Sequence, residues 1–155
     1  MSHDSKIPNG HLRLRKVAPK VLSARFDAMM AHAAATREGT DPAALHDMRV
    51  ASRRLRAALD ALSACYDSKS FRRVAQEAKS LTRALGAVRD EDVLLESLHA
   101  YTESIPEDER PALTRFITHL ETTRGEHREA LVRHLDTLDA SKYVNRFHRA
   151  VKSTT

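Results

Sequence analysis

Apolar residues recur along most of this chain at the three- and four-residue spacing of helices packed on one side, with polar residues between them. From Pro19, a residue suited to a first helical turn, Leu22, Phe26, Met29, Met30 and Ala33 keep that spacing until Gly39 ends the segment. Thr40-Asp41-Pro42 then reads as a start signal, with Asp41 as N-cap and Pro42 at the first helical position; Met48, Leu55, Leu59 and Leu62 carry a second helix to about Tyr66. A third helix is expected from Ser68 to Leu85 on Phe71, Val74, Ala78, Leu81 and Leu85, with Gly86 as its C-cap. Asp90 would cap a short helix broken at Ser104-Ile105-Pro106-Glu107-Asp108. A long pattern then runs from about Arg110 to Leu138, interrupted but not ended by Gly125. After a break at Asp139-Ala140-Ser141, Tyr143, Val144, Phe147 and Val151 form an apolar face with no partner later in the chain. Residues 1–18 read as a mobile basic lead-in, with Pro8-Asn9-Gly10 as a turn. The expectation is an all-α antiparallel bundle of about four main helices plus a short C-terminal helix, one domain over residues 19–155.

Composition agrees with packed helices. The 155 residues include four Gly, five Pro and no Trp, and the core would be rich in Ala and Leu. A single cysteine, Cys65, excludes an intramolecular disulfide and reads as a small buried hydrophobe. With no apolar run of membrane-spanning length and no signal-peptide core, the expected setting is the cytoplasm, without a membrane partner.

Charge changes the picture more, because it is uneven. Residues 46–89 carry ten Lys/Arg against four Asp/Glu, whereas residues 90–130 carry four against eleven. A local basic face attracts an anionic partner better than the same charge spread thinly, and the acidic third argues against a coat of nucleic acid. Within the basic stretch, His46, Arg49, Arg53 and Arg56 fall inside about an 80° sector of the second helix, over about 15 Å of rise. The apolar stripe occupies another sector, and Arg54 lies off the strip. Arg72, Lys79 and Arg83 make a second cationic strip on the third helix. A merely solvated face would carry acidic i,i+4 partners, yet only Asp60 lies on the first strip.

The same residues raise two rivals to simple polyanion binding. The dipeptide His46-Asp47 occurs in helical metal-dependent phosphohydrolases, but its side chains diverge by about 100°, and the neighbouring arginines would repel a cation. A basic helix also suits a nucleic-acid backbone, but the second helix lacks interleaved aromatics for stacking and no recognisable nucleic-acid motif accompanies it.

Two stretches carry a family resemblance. Leu45-His46-Asp47-Met48-Arg49-Val50-Ala51-Ser52-Arg53-Arg54-Leu55-Arg56 is followed by Leu85-Gly86-Ala87-Val88-Arg89-Asp90-Glu91-Asp92-Val93. Together they resemble the CHAD family, the conserved-histidine α-helical domains, over roughly residues 19–152. The resemblance implies a helical, non-enzymatic module that needs no cofactor and binds inorganic polyphosphate through a basic surface, often with polyphosphate granules or triphosphate enzymes. It places His46, Arg49, Arg53 and Arg56 on the ligand-facing strip, with Arg54 matching the motif, and Lys79 and Arg83 on the facing helix. Arg89 and Asp90 match as well and are read as a pair fastening the loop after the third helix, with Arg89 close enough to be counted among the binding residues. Family members look like two bundles related by a pseudo-twofold, whereas this chain supplies one bundle and a stub. Either the chain is a truncated member or two chains assemble the whole, and the expectation taken forward is a homodimer through the C-terminal apolar face.

Overall fold

Segments with one apolar stripe each fold by turning those stripes toward one another. The computed structural model describes residues 9–154, as α1 (Asn9–Met30), α2 (Ala33–Glu38), α3 (Pro42–Ala61), α4 (Lys69–Thr102), α5 (Arg110–Ala140) and α6 (Tyr143–Lys152). A single 3-10 turn, Ser63–Cys65, follows α3, and no strand occurs among the described residues. The all-α expectation holds, and no helix is long and apolar enough to cross a membrane.

Local chemistry sets most of the boundaries. Asp41 accepts a hydrogen bond from the Ala43 N–H at 2.9 Å and Pro42 opens α3, while Ser68 Oγ accepts from the Phe71 N–H at 3.1 Å to open α4. Both caps satisfy donors that a helix start leaves open. Gly39 ends α2 in the left-handed region at φ 75°, and a methyl added there would collide with the Arg128 guanidinium, which donates to the Thr36 and Arg37 carbonyls. That position therefore needs glycine for both its dihedral and its space.

Four boundaries differ from expectation, the first being that α3 ends at Ala61 and gives way to the 3-10 turn instead of running to Tyr66. The first helix begins at Asn9 rather than Pro19, and Pro19 lies inside it; the expected lead-in before residue 9 falls outside the described residues. Leu14 and Val17 on the added turns are about half exposed, so no stripe marks them in the sequence. The segment expected to run unbroken to Gly39 bends at Ala31-His32 into α2. Most consequentially, α4 passes straight through Gly86 and Asp90 for 34 residues. A glycine costs a helix interior only about 1 kcal/mol, and buried Leu81, Leu85, Val88 and Leu95 continue the stripe across it. Gly86 is not a C-cap, Asp90 starts no helix, and the loop that Arg89 and Asp90 were expected to fasten does not exist.

The central helix α4 packs against α3, α5 and α6, and α1 packs against α3 and α6. On the apolar face of α6, Tyr143, Phe147 and Val151 are buried in this same core, while Val144 is exposed. Phe147 stacks on Phe26 at 3.9 Å, Tyr143 donates to the Val74 carbonyl at 3.0 Å, and Tyr66 donates to the Val151 carbonyl at 3.0 Å. Burial pushes the Tyr66 phenol up to about 12 and raises that of Tyr143 as well. Three of the four residues of the face from which a homodimer was expected are thus covered by the chain itself, and only Val144 of that face is left exposed to a second copy. Replacing Phe147 by Ala should cost about 3–5 kcal/mol in urea denaturation; a loss below about 1 kcal/mol would show that α6 does not belong to this core.

Candidate anion-binding face

The antiparallel seam between α3 and α4 positions the basic residues. Leu55 and Leu59 from one helix and Ala78, Leu81 and Leu85 from the other are buried in the shared core. At the rim of the seam, Lys79 Nζ meets Asp60 Oδ1 at 3.1 Å, and Arg49 Nη2 meets Asp90 Oδ1 at 3.3 Å. Asp60 lies eleven residues after Arg49, and Asp90 eleven after Lys79, so one register runs between the two pairs. In that register Arg56, one turn before Asp60, stands alongside Arg83, one turn after Lys79, and Arg53 stands alongside Gly86.

Arg53, Arg56 and Arg83 are exposed, and none has an ion pair or side-chain hydrogen bond among the described residues. His46 is exposed and equally unpartnered. Arg53 and Arg54 share a shallow depression with Val50 and Ala57, so Arg54, although off the strip by angle, opens onto the same surface. Lys79 and Arg72 line an adjoining groove with Leu59, Asp60 and Phe71. Arg72 also pairs with Asp67 at 3.1 Å. The result is an open cationic wall about 16 Å long, with acidic partners at its two ends and none between Arg56 and Arg83.

Among the sequence-derived residues, the structure brings together His46, Arg49, Arg53, Arg56, Lys79 and Arg83, with Arg54 at the margin. Arg89 stands apart. Six residues beyond Arg83 on a continuous helix, it lies about 120° around α4 from it, half-buried and without a partner among the described residues. Asp90 does not act with Arg89; it shares a sector with Arg83 and reaches across to Arg49. Sequence reasoning missed that contact, because the two residues are 41 positions apart and the reading placed Asp90 beyond the end of its helix.

A second basic locus was not singled out by the sequence. Lys69, Arg73, Arg146 and Arg149 line a cavity of about 490 Å³ between α4 and α6. It is deeper than the wall, but Arg146 there is committed to Glu77 through two 2.9 Å hydrogen bonds. Lys69 and Arg149 have no partner among the described residues, so this cavity also carries unpaired charge; it differs from the wall in being a pocket rather than an open track. Among the described residues no group of three or more His, Cys, Asp or Glu side chains is placed to hold a metal ion, and His46-Asp47 gathers no further ligand.

Fold and surface together define an all-α protein with an uncompensated cationic face along one helix seam. The CHAD domain description matches residues 20–155, and the chain belongs to that family. No curated protein matches it.

The unpaired state of the wall has a stability consequence. Arg56→Ala and Arg83→Ala should each leave the urea midpoint nearly unchanged, within about 0.5 kcal/mol or slightly stabilising, because they remove repulsion and no bond. Arg146→Ala, which breaks charge-assisted bonds to Glu77, should cost about 1–3 kcal/mol. A large loss in the first two variants would show that those arginines have structural partners.

Proposed function

We propose that the protein is a non-catalytic module that binds inorganic polyphosphate along the α3/α4 wall. The observation that carries this reading is the placing of Arg56 beside Arg83, with Arg53 nearby and no carboxylate between them. Two like charges at about 9 Å repel by roughly half a kcal/mol in water. An anion lying between them turns that repulsion into attraction to both. Guanidinium forks give paired, charge-assisted hydrogen bonds to phosphate oxygens, Lys79 supplies a compact point charge, and His46 adds a donor at the far end.

The shape of the wall favours a polymer. It is open along its length and presents cations at successive turns, so contacts on one chain combine in a way that separate phosphates cannot match. Membership of the CHAD family supports polyphosphate over nucleic acid as the polyanion, and no Phe, Tyr or Trp is exposed on the wall for bases to stack on, His46 being its one aromatic ring among the described residues. Membership of the CHAD family also supports binding without chemical change. A cytoplasmic protein associated with polyphosphate granules is the setting this reading implies.

Long-chain polyphosphate should bind the protein with a steep inverse dependence on salt, as counterion release requires. Arg53→Ala, Arg56→Ala and Arg83→Ala should each weaken binding by about 5- to 20-fold while leaving the helical content intact, in line with the loss of a charge-assisted contact. Isothermal titration calorimetry at two salt concentrations measures both effects. Unchanged affinity in all three variants would reject the wall as the site, and preferential binding of a charge-matched DNA duplex in competition would reject polyphosphate as its ligand.

A further inference from the structure

The acids of the wall are placed at its ends, and each reaches across the seam. Asp90 on α4 holds Arg49 of α3, and Asp60 on α3 holds Lys79 of α4. Both carboxylates are the more exposed member of their pair, 73% for Asp90 and 55% for Asp60, while Arg49 and Lys79 are 27% and 35% exposed. The apolar seam already fixes α3 on α4, and exposed ion pairs add little to stability. Arg49 reaches Asp90 across Gly86, where its Nε stands 3.8 Å from the position a Cβ would take, so no side chain obstructs its release.

We propose that Asp60 and Asp90 are specificity residues of the polyphosphate site, acting as tethered competitors for the anion; this rests on the reading given above. A carboxylate held on the neighbouring helix competes at an effective concentration of about millimolar or higher. A small free anion must overcome that competition to reach Arg49 or Lys79. A polymer anchored on Arg53, Arg56 and Arg83 delivers its flanking phosphates at a comparable effective concentration and displaces the carboxylates. The two ends are about 16 Å apart. A long chain therefore expels both carboxylates, whereas a triphosphate seated at the centre reaches one end at most. The acids thus convert chain length into affinity.

The test compares long-chain polyphosphate with triphosphate by calorimetry on the wild type, Asp60→Asn, Asp90→Asn and the double variant. Asp47→Asn is the charge control, since Asp47 is exposed on α3, lies about 120° or more around the helix from Arg49, Arg53 and Arg56, and has no partner among the described residues. For the long chain, each single wall variant should tighten binding about two- to fivefold beyond the control. The two gains should multiply in the double variant, because the ends are too far apart to couple. For triphosphate the gain in the double variant should fall short of the product of the two single gains, because each bound triphosphate meets only one end. Equal gains in Asp47→Asn and the wall variants, or multiplying gains for triphosphate, overturn the proposal, because the acids then act through net charge alone. Failure of the wild type to bind the long chain overturns the polyphosphate reading itself.

Discussion

The register of α4 against α3 is the constraint on which the rest of the surface depends. Leu55, Leu59, Ala78, Leu81 and Leu85 are buried in the core between these helices, and burying one such leucine contributes about 1.5–3 kcal/mol. The repulsion between Arg56 and Arg83 is several times smaller, so the core holds two cations side by side without a counter-ion. Shifting α4 along its axis by one residue would rotate the apolar stripe out of the seam and dissolve the wall with it. Charge placement here is a by-product of packing that the packing can readily sustain.

Length is the second property that α4 supplies. Had it ended at Gly86, the Asp90 carboxylate would sit in a loop and Arg49 would have no partner across the seam. Because the helix runs on, its outer sector carries Arg72, Lys79, Arg83 and then Asp90 in line, and the wall acquires an acidic boundary at each end. Beyond it, α4 continues beside α5, held by Arg124 to Asp92 at 2.7 Å and by His127 to Glu91 at 2.9 Å. Acidic side chains of residues 90–92 are thus spent on Arg49 of α3 and on Arg124 and His127 of α5 rather than on the wall's central arginines.

Much of this was legible in the sequence, for reasons that differ by residue. The cap at Asp41-Pro42, the stripe of α3, and the strip of His46, Arg49, Arg53 and Arg56 are local, and helical geometry determines them. Continuity through Gly86 was misread because glycine permits a helix end without requiring one, and the deciding fact, burial of Val88 and Leu95, is tertiary. The covering of α6 was hidden for the same reason: Phe147 finds Phe26 more than a hundred residues earlier in the chain. The pairing of Arg49 with Asp90 and of Lys79 with Asp60 depends on the register between two helices, which no periodicity within either one reveals.

The central claim is that Arg53, Arg56 and Arg83 form one unneutralised track for a phosphate polymer. Its most direct measurement is an NMR titration that follows the arginine side-chain Nε–H resonances as long-chain polyphosphate is added. Arg53, Arg56 and Arg83 should shift together from the first additions, with Arg49 shifting as it leaves Asp90, while Arg128 and Arg146 stay in place. First responses at Arg73, Arg146 and Arg149, with the α3/α4 wall unmoved, would contradict it.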